Sequence, residues 1–171
     1  VARYQGGANA GHTVYHGDIK VVLHQIPSGI LRDDCLCILG NGMVVDPIGL
    51  VEEIKMVESH GFSTIDKIQV ALNAHIVTPI HKAIDVATEA ATNNRIGTTG
   101  RGIGPTYVDK FNRIGLRGVD LLDKYSLQKK LNDKLDLAIS SGELPSSAKD
   151  ELKPQFDKFL DCAKRISPFI T

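Results

Sequence analysis

Tryptophan is absent from this chain, and aromatic residues of all kinds make up only 5% of it. Aliphatic side chains must therefore fill the core. A surplus of either charge is lacking too: twenty basic residues meet twenty acidic ones, for a formal net charge of zero. That balance removes the general electrostatic reason to bind nucleic acid or an anionic membrane surface, so any bound anion must be held by local geometry. Cysteine is scarce. Cys35, Cys37 and Cys162 cannot pair completely, and the first two sit in an apolar run where cysteine acts as a small core residue. A Cys-x-Cys metal site would need two further ligands, and no suitable cluster appears. No stretch approaches membrane-spanning length, and the N-terminus has no signal-peptide layout. Together these features predict a reducing, cytoplasmic setting. The chain also lacks an initiator methionine, starting at Val1 and running straight into Arg3-Tyr4-Gln5-Gly6-Gly7. This predicts an internal part of something larger.

What is present is a chain of 171 residues, 42% of them hydrophobic, enough for one real core. The first half reads as α/β. Lys20 to Ile26 looks like a strand ended by Pro27-Ser28-Gly29. Cys35 to Leu39, Met43 to Val45 and Ile68 to Leu72 are further short, strand-like runs. Between them lies a helix that Asp46 can cap, Pro47 can start and Gly61 can close, with Leu50, Val51, Ile54 and Val57 on one face. Pro79 to Asn94 reads as a second helix with a small-residue stripe of Ile80, Ala83, Ile84, Ala87, Ala90 and Ala91. The second half is helical. Ser126 should open a helix carrying Leu127, Leu131, Leu135 and Ile139, with Gly142 closing it. Leu152, Phe156, Phe159, Leu160 and Ala163 mark another, whose start Pro154 should delay or kink, and Pro168 ends it.

Two glycine-rich segments carry the chemistry. Ile96-Gly97-Thr98-Thr99-Gly100-Arg101-Gly102-Ile103-Gly104-Pro105 crowds four glycines, two threonines and an arginine into ten residues. Glycine lets the backbone turn its N–H groups to one side, and the hydroxyls and guanidinium add donors to that face. An anion site, most plainly for phosphate, explains the composition better than a flexible connector does. The other segment, Gln5-Gly6-Gly7-Ala8-Asn9-Ala10-Gly11-His12-Thr13, places an amide, an imidazole and a hydroxyl within a glycine-rich turn. Such a histidine can donate to a phosphate or act as a general acid near neutral pH. A plain Asn-Ala-Gly turn with an incidental histidine is the alternative. Neither segment is a Walker A loop, and Gly100-Arg101-Gly102-Ile103-Gly104 has the wrong spacing and a preceding helix, which excludes a Rossmann dinucleotide fingerprint. His16, His24, His60, His75 and His81 are scattered, and metal binding by them is not expected. Lys110, Arg113 and Arg117 follow the second segment at helical spacing and should share one helix face beside it.

The two segments, with Ile26-Pro27-Ser28-Gly29-Ile30-Leu31 and Gly40-Asn41-Gly42 between them in this order, closely resemble the adenylosuccinate synthetase family. The likeness runs from the start to about Asp123, and the tail after Ser126 carries little signal. It implies a P-loop-NTPase-like α/β fold: a partial, mostly parallel sheet and nucleotide-binding core over residues 1–95, then an IMP-phosphate loop and helical subdomain over 96–171. It implies a homodimeric GTP-dependent ligase that joins IMP and L-aspartate through a 6-phosphoryl-IMP intermediate, with Mg²⁺ alongside GTP. His12 would be the catalytic general acid, and the Gly11 carbonyl a Mg²⁺ ligand. Asn9, Ala10, Gly11, His12 and Thr99 would bind IMP, Thr99 on its phosphate. Arg113 would reach the partner subunit's IMP. The family's phosphate loop, with its aspartate and lysine, would lie before Val1, and the guanine- and aspartate-binding parts beyond Thr171. The 171 residues alone are therefore expected to be inactive. The competing readings are a non-catalytic purine-nucleotide-binding or dimerisation module and a structural α/β protein.

Overall fold

A computed structural model describes residues 1–91 and 97–171. Three parallel strands form the main sheet in the order β1 (Ala2–Arg3), β4 (Cys37–Leu39), β6 (Ile68–Val70), with Ala2 opposite Ile38 and Cys37 opposite Ile68. A parallel pair, β5 (Val44–Val45) and β7 (His75–Ile76), carries the same chain segments further. The Gly6–Met43 bridge and the bond from Val44 N–H to the Gly6 carbonyl (2.9 Å) bring the first segment along. β2 (His12–His16) and β3 (Ile19–Leu23) form a separate antiparallel hairpin. His16 pairs with Ile19, so Gly17 and Asp18 alone make the turn, with Gly17 at φ +59°.

The hairpin departs from the sequence expectation. The run from Lys20 is a strand, but β3 stops at Leu23 and pairs only with β2. His12 and Thr13 belong to a strand and not to a loop. The polar alternation of His12-Thr13-Val14-Tyr15-His16 hid it, because this strand is largely exposed.

Helix α1 (Pro47–Ser59) starts as predicted: the Asp46 carboxylate accepts from the Ile48 N–H at 3.2 Å, and Gly61 follows at φ +86°. Helix α2 (Pro79–Ala91) is the expected second helix; residues 92–94 lie outside the described residues. Ile80 and Ile84 of its stripe are buried, whereas Ala90 and Ala91 are exposed. Helix α3 (Ile103–Asn112) follows the second glycine segment. Helix α4 (Lys124–Ser140) begins two residues before Ser126, because Asp123 caps it by accepting from the Tyr125 and Ser126 N–H groups (3.0 and 3.2 Å). Helix α5 (Ala148–Ile166) runs through Pro154, which therefore does not delay its start. Leu152 and Phe156, either side of the proline, are buried on one face, and this burial outweighs the loss of a backbone donor.

Leu39, Val45, Leu50 and Ile76 from the α/β part join Leu127, Leu131, Phe159 and Ile166 from the helical part in one buried cluster. Cys37 and Cys162 are buried free thiols, and burial pushes the Cys37 thiol up to about 11. At physiological pH it is a small apolar residue, as the composition suggested.

Candidate functional site

The first glycine segment leaves β1 and is fixed by side chains reaching in from elsewhere. Arg3 donates to the carbonyls of His24 and Gly7. The Gly6 N–H donates to the Tyr107 hydroxyl at 2.9 Å, and that hydroxyl donates to the Gly42 carbonyl at 2.9 Å. Lys110 donates to the Asn41 carbonyl at 2.8 Å. Helix α3 thus joins the first segment to the Gly40-Asn41-Gly42 turn. Gly7 has to be glycine: a Cβ there would lie 2.6 Å from Ile103 Cδ1 and 2.8 Å from Val44 Cγ2.

The second segment is fixed from below. Gly97, Gly100 and Gly102 all have positive φ, at +74°, +62° and +72°. The Gly102 N–H donates to Asp85 Oδ2 of α2 at 2.9 Å. Arg101 then reaches across and donates to the Ala8 carbonyl. That contact joins two segments 93 positions apart in the chain.

Asn9, Ala10 and Gly11 are exposed on one side of this junction, and Thr98 and Thr99 on the other. Ala8, Gly100 and Arg101 of the junction line a cavity of about 480 Å³ with Val22, His24 and Lys82 and with the carboxylates of Asp46, Glu52 and Glu53. Ile96 lies outside the described residues.

His12 opens β2 and faces a second cavity of about 410 Å³, with Arg3, Gln5 and Ser28 around it. Burial, reinforced by the Arg3 guanidinium and His24 and opposed by Glu53, holds His12 below the ordinary histidine value of 6.5. It is therefore a neutral imidazole at pH 7. An anion bound against it would favour the protonated form.

Arg113 is not brought to this junction. It caps the far end of α3 at φ +62°, about 15 Å of helix from Ile103. Lys110, Arg113 and Arg117 do not share a helix face either: Lys110 is inside α3, Arg113 ends it, and Arg117 precedes the 3₁₀ turn Gly118–Leu122. A left-handed residue at the helix end breaks the helical spacing. The three nevertheless line one cavity of about 640 Å³, together with His75, Lys130 and Lys134. Exposed Val108 and Phe111 stand on α3, and exposed Ile114 follows its capping residue.

The sequence reading missed Arg3, Tyr107 and Asp85, which hold the two segments, and it set His81 aside. His81 and Asp85 interrupt the Ile80/Ile84 stripe of α2 at a spacing of four and are both buried. Two polar residues on an apolar helix face were the available signal.

The description of the adenylosuccinate synthetase family matches residues 1–171, the whole chain. The chain belongs to the adenylosuccinate synthetase family. An adenylosuccinate synthetase of Chlorobaculum tepidum is 53% identical over 137 residues, covering 79% of this chain and 32% of that protein. One of Leuconostoc mesenteroides is 43% identical over 172 residues, covering 100% of this chain and 40% of the relative. Among solved structures, a fully ligated adenylosuccinate synthetase of Plasmodium falciparum superposes with a TM-score of 0.85 at 34% identity, over 99% of this chain and 39% of that one. The α/β fold with its parallel strands is therefore the family's, and the chain spans about 40% of the length of the relatives it matches from end to end.

Proposed function

We propose that this chain supplies the IMP-facing and proton-donating part of a ligase that joins IMP to L-aspartate with GTP, giving adenylosuccinate through a 6-phosphoryl-IMP intermediate. The observation that carries the reading is the Arg101–Ala8 contact, which makes the two glycine segments one surface. Asn9, Ala10, Gly11 and Thr99 stand at its rim, with their amide, hydroxyl and backbone groups available to a nucleotide phosphate and base. His12 would take up a proton as the substrate's phosphate approaches and hold it at the phosphoryl oxygens during transfer. Arg113, exposed at the end of α3 beside an apolar helix surface, would reach the IMP of a partner subunit in a homodimer.

Mg²⁺ fits this arrangement as an ion held mainly by nucleotide oxygens, with the Gly11 carbonyl as one ligand, since Mg²⁺ prefers few protein ligands and several phosphate or water oxygens. Among the described residues no group of three or more His, Cys, Asp or Glu side chains is placed to hold a metal. Mg²⁺ would supply charge neutralisation at the transferring phosphate. No helix among the described residues is long and apolar enough to cross a membrane. The cytoplasmic assignment rests instead on the likeness to the family.

The test is an ultraviolet assay for adenylosuccinate, using a protein of full family length that carries these 171 residues. Turnover should need IMP, GTP, Mg²⁺ and aspartate together. The 171 residues by themselves should give none. Saturable IMP binding by the longer protein without turnover would favour a nucleotide-binding module instead. Arg113→Leu should weaken IMP binding, and mixing it with a variant defective at His12 should restore some activity through hybrid dimers. Mixtures that recover nothing would remove the cross-subunit role.

A further inference from the structure

Helix α2 presents two buried polar side chains one turn apart, and each grips a different end of the segment that follows. Asp85 Oδ2 accepts from the Gly102 N–H at 2.9 Å, where the glycine segment turns into α3. His81 Nδ1 accepts from the Thr78 N–H at 2.9 Å. Its proton is therefore on Nε2, which donates to Asp109 Oδ2 at 2.9 Å, near the other end of α3. Asp109 also accepts from Lys134 of α4, so the α3 end is held from two sides. The approach of segment and helix is close. A Cβ on Gly102 would lie 2.9 Å from the backbone carbon and Cβ of His81. His81, Asp85 and Asp109 are all buried, at 0%, 8% and 7% exposure. A buried carboxylate or imidazole that loses its partner leaves the other group unsatisfied, so these contacts leave little freedom.

We propose that His81 and Asp85 are positioning residues that hold the 97–102 segment and the Arg113 end of α3 as one rigid unit on α2, setting Thr99 and Arg113 for IMP. The inference rests on the functional reading above. It assigns neither residue any contact with substrate: Asp85 acts through Gly102, and His81 through Asp109.

The test uses a protein of full family length carrying these residues, with Asp85→Ala and His81→Leu, and with Asp85→Asn and His81→Gln as shape-preserving partners. Asp85→Ala should speed exchange of the Gly102 amide about tenfold or more, and His81→Leu that of amides 109–113 by a similar factor. In both, KM for IMP should rise about tenfold while kcat and KM for GTP stay within about twofold, because only one substrate's contacts are displaced. Asp85→Asn and His81→Gln should recover most of the loss, since each amide can replace the hydrogen bond. A uniform fall in kcat with every KM unchanged would mark a merely structural role and overturn the proposal. So would faster exchange with unaltered KM for IMP, or exchange unaltered in both truncations. If the truncations fail to fold, Asp85→Ser and His81→Asn, polar but too short to make these bonds, take their place and are judged by the same outcomes. Calorimetric titration with IMP separates the two levels. No IMP binding by the unmodified protein overturns the functional reading and this inference together. Normal IMP binding in all four variants overturns the inference alone.

Discussion

Residues 5–11 and 97–102 meet at the Arg101–Ala8 contact, yet they are held by different means. The first is suspended from above by long side chains: Arg3 on the Gly7 carbonyl, Tyr107 on the Gly6 N–H, Arg101 on Ala8. The second is seated on a helix, with Gly102 at φ +72° against the backbone of His81 and its N–H on Asp85. The first leads directly into His12, a titrating side chain at the start of β2, and the second presents hydroxyls and backbone. On the proposed function the difference would separate two jobs: a group that moves a proton would have room beside it, whereas a surface that only receives a phosphate would be preorganised by close packing.

The largest expected effect falls on the first segment. His12→Asn, in a protein of full family length, should lower kcat by roughly 10²-fold or more while the fold stays intact. Near-normal turnover would leave both segments as binding surfaces and erase the contrast. The second segment should answer in stability instead. Gly102→Ala combines a left-handed φ with a Cβ only 2.9 Å from atoms of α2, and should cost roughly 2–4 kcal/mol. Gly142→Ala has a similar φ of +81° with nothing within 4 Å of the added Cβ, and should cost only about 1 kcal/mol. Equal midpoints for the two variants in urea would show that Gly102 carries no packing role.

The same division explains what could be read from the chain. The glycines, threonines and His12 could be picked out as candidates for the proposed anion-facing surface because they lie together in sequence. Asp46 and Pro47 announced α1 because capping is local. What holds the surface is not local. Tyr107 lies 101 positions from Gly6, and Asp109 lies 28 from His81, so no spacing rule joins them. The β2–β3 hairpin escaped because an exposed strand does not show an apolar alternation. Arg113 was named, but its departure from the helix face of Lys110 was not foreseen, since a non-glycine residue rarely takes the left-handed conformation. Pro154 does not delay the start of α5, because packing on both sides of it overrides a local rule.

The two segments should also part under acid. Burial is the leading cause holding His12, His75 and His81 below 6.5, with Arg3, Lys110 and Lys134 among the neighbouring charges that reinforce it. The folded state then takes up protons less readily than the unfolded chain does. Stability carried by these groups is complete above pH 6.5 and is lost as pH falls through it toward their folded values. The melting temperature should therefore drop between about pH 7.5 and 5.5. His81→Gln should flatten part of the drop, and His12→Gln should flatten less, because His12 is only half-buried. An identical profile in the His81 variant would mean that the seat of the second segment does not titrate in this range.

The smallest effect tests the suspension of the first segment. Tyr107→Phe keeps the ring and its stacking on Phe111, whose centroid is 6.3 Å away, and removes only the hydroxyl that bridges Gly6 and Gly42. The site is partly open to water, so the net cost should be about 1 kcal/mol in unfolding free energy. Gly6 starts the turn that carries Asn9 and Gly11, and a small loss of order there should raise KM for IMP by roughly threefold to fivefold and leave kcat alone. A change confined to stability would mean that Arg3 and Arg101 hold the turn without help. A fall in kcat would mean that the segment leading to His12 also depends on close packing, and the contrast between the two segments would narrow to their ligands.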